Sequence, residues 1–424
     1  MKSRRARIQE FHRSTIVIVA IALLAAAVAE SETALYSSSR KLAEVSDIDK
    51  AYLLPGEVVQ QRLRHKCRGI GQFDQLRGEW VRHPDHSYNG MTDPAKCPSF
   101  VRDYDCRADY IDQNYHVLQQ KEFRKVFQPY ACELHSMNTT YFSECLQGQR
   151  IIIIGDSTMR QVFQSLACLL TDHVTDGYLV DWQDAKPNQT AVPFKDEYFV
   201  RGTRSPILKQ NVGMFRLKNG VQVHFQSFGI FNLTLWDDVM TKFMPLSKND
   251  TIFVEFGAWY PRFSASEMHA PWARYKKDVL ELLDMRLRAY SANVLWRGYG
   301  PTHFGGATGT FTGMNWELEA LPAQETCEPA QYGEYYYDTE VIKYLTKCGE
   351  FCAHIHILPV FHLSLPMHNS HHGSFGRGIE ESAIDCRHYC ANVVDTWNQV
   401  LYNKLCYQPT GKGKLLKLQT TGRY

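Results

Sequence analysis

Two short segments far apart in the chain carry side chains from which an acyl-transfer centre can be built. Gly155-Asp156-Ser157 places a serine hydroxyl where an apolar run ends, and Asp385-Cys386-Arg387-His388 places a carboxylate three residues before an imidazole. A serine needs a base to become a nucleophile, and the base needs a partner to hold its tautomer. On a helical turn this spacing sets Asp385 and His388 on one face, so the carboxylate orients the ring while the ring turns toward Ser157. Plainer readings stand beside this one. Gly-Asp-Ser is also a good turn and helix-capping sequence, and Asp385 with His388 also reads as a surface pair. Cys386, His388 and Cys390 are, in addition, of metal-ligating types.

The elements around Ser157 favour the catalytic reading. Ile151 to Ile154 form a continuous β-branched run, as expected of a strand buried on both faces of a parallel sheet. After the turn, Met159, Val162, Phe163, Leu166 and Leu169 or Leu170 recur at helical spacing over 158–170. Strand, tight turn and helix in that order expose the hydroxyl and aim the helix's first N–H groups at whatever bonds to it, which suits a developing oxyanion. Further strands are predicted over 221–226, 251–255, 293–296 and 355–360, and an amphipathic helix over 266–290 carries Met268, Trp272, Val279, Leu282, Leu283 and Leu287. Alternating strands and helices predict an α/β fold with a mainly parallel sheet flanked by helices. In such sheets ligands bind beyond the carboxyl ends of the strands. Trp259, Tyr260, Arg297 and His303 all follow predicted strand ends, and Arg160 lies one helical turn past Ser157, so these five are the candidate substrate contacts. The aromatic pair reads as sugar-stacking faces or as core, and Arg160 as an anion or sugar contact or a structural one.

Composition bounds the partners. The chain has 424 residues, 47 Lys plus Arg against 45 Asp plus Glu, and 44% hydrophobic residues, so disorder is excluded. The basic surplus is local: residues 1–13 hold Lys2, Arg4, Arg5, Arg7 and Arg13 against Glu10, which leaves the remainder weakly acidic. No nucleic-acid partner is expected of such a body. An uncharged stretch, 14–29, follows the basic tail and reads as a short signal anchor or, with Ala27-Val28-Ala29 at its end, as a cleaved signal peptide. Either way the basic flank stays cytoplasmic and the remainder is translocated. All 12 cysteines fall between Cys67 and Cys406, and glycosylation sequons occur at Asn138, Asn188, Asn232 and Asn249. Both features fit an oxidising, lumenal compartment. The expected organisation is a tail (1–13), a membrane segment (14–29), a stem (30–60) and one lumenal catalytic domain (61–424). A loop-rich, disulfide-held cap over 61–145 precedes an α/β body over 146–424. Histidines 354, 356, 362, 368, 371 and 372 cluster in sequence, but no carboxylate or cysteine spacing organises them into a metal site.

Several blocks together resemble a known family. Phe73-Asp74-Gln75-Leu76-Arg77-Gly78-Glu79-Trp80-Val81 after Cys67, Cys97-Pro98-Ser99-Phe100 and Tyr104-Asp105-Cys106 are similar to the opening block of the plant trichome-birefringence-like proteins, members of the PC-esterase group. Gly155-Asp156-Ser157-Thr158-Met159-Arg160-Gln161 resembles its GDS block, and Arg297-Gly298-Tyr299-Gly300-Pro301-Thr302-His303 its R-x-x-x-P-x-H segment. Asp385 to Cys390, with Val394-Asp395-Thr396-Trp397-Asn398, resembles its D-C-x-H-W-C block. The resemblance, over about 67–406, implies an SGNH-hydrolase-like fold, type II topology in the Golgi and polysaccharide O-acetyltransferase activity. It implies Ser157 as nucleophile, His388 as general base and acid, Asp385 as its orienting residue, and oxyanion support from Gly155, Asp156 and Gly257. No cofactor or metal is implied, only an acetyl donor and a polysaccharide acceptor. It also implies that Cys97 or Cys106 ties the cap to the body, while Cys145, Cys348, Cys352 and Cys406 lie outside the matched blocks as candidates for extra bridges.

The chain departs from the family in two places. The family's F-N-T-G-H-W-W reads Val254-Glu255-Phe256-Gly257-Ala258-Trp259-Tyr260, and its R-x-D-x-H reads His368-Asn369-Ser370-His371-His372. If the lost asparagine donated to the oxyanion, an ionised Glu255 opposes it, so either Glu255 is protonated or another group takes over. Three functions therefore stand at this point: an O-acetyltransferase, an acetylesterase using the same triad, and a glycan-binding protein that has kept the fold without catalysis.

Overall fold

The four isoleucines 151–154 are all fully buried, as a strand covered on both faces requires. The computed structural model describes residues 65–67, 76–82, 125–180, 212–260, 271–304, 327–330, 335–371 and 386–407. In chain order its elements are β1 (Gly78–Arg82), β2 (Lys125–Pro129), α1 (Thr139–Cys145), β3 (Arg150–Gly155), α2 (Ser157–Leu169), β4 (Val174–Val180), β5 (Val212–Leu217), β6 (Gln222–Ser227), α3 (Leu233–Thr241), β7 (Thr251–Glu255), α4 (Pro271–Met285), β8 (Asn293–Arg297), α5 (Tyr336–Cys348), β9 (Ile355–Leu358), α6 (Phe361–Ser364) and α7 (Ala391–Cys406).

Seven strands form one sheet in the order β4-β5-β6-β3-β7-β8-β9. The pairs β6–β3, β3–β7, β7–β8 and β8–β9 are parallel, while β4–β5 and β5–β6 are antiparallel. β3 lies between β6 and β7; after β3 the chain fills one side of the sheet through β4, β5 and β6, then crosses to β7 on the other, so the switch point lies at the carboxyl end of β3. Strand alternation sends Ile151 and Ile153 to one face, with Val162, Phe163 and Leu166 of α2 and Trp397 and Leu401 of α7. Ile152 and Ile154 face the other way, with Trp236, Val279, Leu282, Tyr337 and Val341 of α3, α4 and α5. The predicted α/β fold with helices on a mostly parallel sheet is the observed one.

Helix α7 is buried over nearly its whole length, and polar residues stitch it to α2. Ser165 donates to Asp395 at 2.6 Å, and Asn398 Nδ2 donates to Ser165 at 2.8 Å and to the Val162 carbonyl at 3.2 Å. The charged ends of β3 and β7 are joined by Arg150, whose Nε and Nη2 bind Asp250 at 2.9 and 2.7 Å.

Some expectations need correction. The described part of the N-terminal region is not loops alone: β1 and β2 pair antiparallel over five residue pairs, and α1 follows. Phe127, Leu134 and Phe142 pack in the same cluster as Ile151 and Trp397, so 125–145 is continuous with the body's core. Antiparallel β4 and β5 extend the sheet beyond the strands expected. The predicted helix over 266–290 is observed as α4, ending at Met285, and 266–270 lie outside the described residues. So do 14–29; no helix among the described residues is long and apolar enough to cross a membrane.

Disulfides join Cys67 to Cys132, Cys145 to Cys406, Cys327 to Cys386 and Cys348 to Cys352. The four cysteines outside the matched blocks thus form two bridges among themselves. Cys168 and Cys390 are also disulfide-bonded, whereas Cys97 and Cys106 lie outside the described residues. Of the sequons, Asn138 and Asn232 are exposed and cap α1 and α3 through Oδ1, Asn249 is exposed, and Asn188 lies outside the described residues.

Candidate active site

Ser157 is the first residue of α2, directly past the carboxyl end of β3. Backbone crowding makes the turn. A Cβ on Gly155 would lie 2.3 Å from the Glu255 carbonyl oxygen and 2.5 Å from Met159, so only glycine lets β3 close on β7 there. Asp156 is the helix cap and is fully buried. Its Oδ1 accepts from the Thr158 N–H at 2.8 Å and the Thr158 hydroxyl at 2.7 Å, and its Oδ2 accepts from the Ala258 N–H at 3.1 Å. Position 258 thus contributes its backbone N–H to the turn. The N–H groups of Thr158 and Met159 are both taken by Asp156, while that of Ser157 makes no hydrogen bond among the described residues. It is the donor left for an oxyanion. Gly257 lies under Tyr299: a Cβ there would be 2.5 Å from the ring.

His388 meets the serine. Its Nε2 lies 2.6 Å from Ser157 Oγ, and both residues are partly exposed while Asp156, Thr158, Arg387 and Tyr389 are buried. The dyad thus opens outward from a packed base. Residues 386–390 form a bend and a β-bridge to His371 rather than a helical turn. Asp385 lies outside the described residues. Cys386 and Cys390 are both disulfide-bonded, so neither supplies a thiolate and the metal-site reading of this segment fails. Among the described residues no group of three or more His, Cys, Asp or Glu side chains is placed to hold a metal ion.

Beneath the serine lies a buried charged layer that sequence reasoning missed. Arg297 Nη2 donates to Glu255 Oε2 and to the Thr158 hydroxyl oxygen, both at 2.6 Å, and its guanidinium lies 4.6 Å from the Trp397 ring centroid. Arg297 was expected to bind substrate; at 1% exposure it is instead held inside by these bonds. Glu255 is equally buried. Burial and the neighbouring Asp156 push its carboxyl up to about 8, against the pull of Arg297 and Thr158. One oxygen of Glu255, Oε2, faces Arg297 and Thr158. Asp338 belongs to the same layer, accepting from the Tyr299 N–H at 2.8 Å, and burial lifts it to about 7. Glu255, a carboxylate closing an otherwise apolar strand, and Arg297, at the end of another, each carried a sequence signal; their pairing did not.

Two more proposed substrate contacts are buried. His303 is 0% exposed, with Nε2 2.9 Å from the Leu365 carbonyl and Nδ1 2.6 Å from His371 Nε2; burial lowers its pKa to about 4. It supports the His388 segment from below, since its backbone N–H donates to the Cys386 carbonyl at 2.9 Å and His371 Nδ1 lies 3.1 Å from the His388 carbonyl. Tyr260 is core: its hydroxyl donates to Asp278 at 2.9 Å and accepts from the Phe231 N–H, and its ring meets Tyr275 edge-on. Of the five proposed substrate-binding residues, Arg160 and Trp259 keep partly exposed surface.

A mostly parallel sheet that presents a capped serine to an imidazole at its switch point defines an acyl-esterase type of α/β protein. The comparison with known families agrees: residues 134–404 match the PC-Esterase model, a GDSL/SGNH-like acyl-esterase family found in Pmr5 and Cas1p, and the chain belongs to that family. It is 26% identical over 356 residues to protein trichome birefringence-like 41 of Arabidopsis thaliana, covering 78% of this chain and 89% of that one. It is 23% identical over 409 residues to trichome birefringence-like 6 of the same plant, covering 89% and 79%. To xylan O-acetyltransferase 7 of Oryza sativa subsp. japonica it is 21% identical over 371 residues, covering 77% of this chain and 58% of that protein.

Proposed function

We propose that the chain is a polysaccharide O-acetyltransferase working through an acetyl-serine intermediate. The observation that carries this reading is the 2.6 Å contact between Ser157 Oγ and His388 Nε2 at the amino end of α2. His388 takes the hydroxyl proton as Ser157 Oγ attacks the acetyl carbonyl of a donor. The oxyanion develops beside the Ser157 N–H. His388 then returns the proton to the departing group, leaving acetyl-Ser157. In the second half a sugar hydroxyl gives its proton to His388 and attacks the acetyl carbon, and the proton passes back to Ser157 Oγ as the ester forms. Asp385 orients the imidazole in this scheme, as its place in the D-x-x-H block implies.

A polysaccharide acceptor is supported by a relative named as a xylan O-acetyltransferase. Arg160 and Trp259, which keep partly exposed surface, form its first contacts. The disulfides support a lumenal, oxidising compartment, and with residues 14–29 as a signal anchor this becomes a Golgi membrane protein of type II topology. An acetylesterase is the second reading, favoured by the partial exposure of both dyad residues, which lets water replace the sugar.

The test is incubation of wild type and Ser157→Ala with an activated acetyl ester, with and without oligosaccharide acceptors, followed by mass analysis. Acetylated sugar that depends on Ser157 supports the transferase, and acetate alone supports the esterase. Identical traces from the two proteins would sink both.

A further inference from the structure

Gln161 is a polar side chain buried at 2% exposure on the helix that begins with Ser157. A buried amide must spend its donor and acceptor on something, and Gln161 spends both on one residue. Its Nε2 donates to the Tyr389 carbonyl at 2.7 Å, and its Oε1 accepts from the Tyr389 N–H at 3.2 Å. A side-chain amide thereby pairs with main chain as a neighbouring strand would. Gln161 follows Ser157 by one helical turn, and Tyr389 directly follows His388. The serine and histidine, 231 positions apart in sequence, are thus linked by one turn of helix, one amide pair and one peptide unit.

The far side of Tyr389 is fixed too. Its hydroxyl donates to the Pro301 carbonyl at 2.5 Å, its backbone bridges His371, and its ring meets Trp397 with centroids 5.2 Å apart. The Cys327–Cys386 disulfide, the disulfide-bonded Cys390 and the His371 contact with the His388 carbonyl hold the segment on other sides, but none of these described contacts ties it to the helix that carries Ser157. The Gln161 amide pair does so directly.

We propose that Gln161 is a positioning residue that sets the distance between Ser157 and His388, an inference that rests on reading those two as nucleophile and base. It touches neither reacting atom. Without the amide pair, the Tyr389 N–H and carbonyl lose their partners and the base-bearing segment shifts to find others. A displacement on the order of 1 Å at a reacting group lowers a rate ~100-fold.

The experiment compares wild type, Gln161→Met and Gln161→Glu for acetylation of Ser157 by an activated acetyl ester between pH 5 and 8, with thermal melts alongside. Methionine keeps the length and loses both hydrogen bonds. Glutamate keeps the acceptor for the Tyr389 N–H, opposes the carbonyl when ionised, and regains a donor when protonated. The expected result for Gln161→Met is a kcat lowered by ~30- to 100-fold with KM for the ester unchanged. For Gln161→Glu it is a rate that climbs toward wild type as pH falls. A folded Gln161→Met within threefold of wild type, or a loss confined to KM, overturns the proposal. Should Gln161→Met not fold, a pH-independent Gln161→Glu to wild-type ratio overturns it equally. A wild type with no Ser157-dependent acetylation removes the proposed function and this inference together, whereas an active wild type with an unaffected variant removes this inference alone.

Discussion

Replacing Glu255 with glutamine changes one atom in the buried layer beneath the serine, and its effect on stability should depend strongly on pH. In the folded chain this carboxyl is 1% exposed and raised from 4.5 to about 8, by burial first and the charge of Asp156 second. Between those two values the folded state holds a proton that the unfolded state has released. Stability is therefore fully present below about 4.5 and is lost as pH rises through about 8. At roughly 1.4 kcal/mol per pKa unit the loss has a ceiling of about 5 kcal/mol. Asp338, raised by burial from 3.8 to about 7, loses stability in an overlapping window and answers to the same Arg297, so the two do not add. The amide of Glu255→Gln accepts from Arg297 as the neutral acid does but has no proton to lose. Urea unfolding at pH 5, 7 and 8.5 should show wild type losing about 3 kcal/mol or more across the range and the variant losing clearly less. At pH 5 the two should agree within about 1 kcal/mol. Parallel stability curves for the two proteins would refute the reasoning, because they would place the proton elsewhere.

Three further variants test the geometry. Gly155→Ala puts a methyl 2.3 Å from the Glu255 carbonyl oxygen, so it should lower stability by about 1–3 kcal/mol and abolish Ser157 acetylation; a melt and an acetyl-ester assay check both. Trp259→Ala should weaken acceptor oligosaccharide binding with little change in stability. Tyr260→Phe should do the reverse, costing about 1 kcal/mol through the lost Asp278 bond while binding stays at wild type, as titration calorimetry and urea unfolding can show.

The site was partly legible in the chain. Ser157 and His388 were picked out by residue type and by the strand-turn-helix around the serine, and they meet at hydrogen-bond distance. Arg297, His303 and Tyr260 were placed correctly past strand ends; for Tyr260 the core reading is the observed one, while Arg297 and His303, candidate substrate contacts, are buried. A position after a strand says which end of the sheet a residue occupies; it does not say how far below the surface it sits. Glu255 was noticed as a departure, yet its partner across the sheet was not, because adjacency in a parallel sheet depends on strand order.

Local pattern was enough for what is local. The β-branched run, the capped turn and the 3.6-residue stripe after it dictate a buried strand delivering a serine to a helix end, since each depends on neighbours within a few residues. Strand order, the antiparallel β4 and β5, the pairing of Arg297 with Glu255, and the Gln161 amide on Tyr389 were decided only in three dimensions. Each of these joins residues tens to hundreds of positions apart, and a buried polar group takes whatever partner the packing brings within 3 Å. The serine is written in the chain; its distance from the base is a property of the packed helices and strands that hold the two.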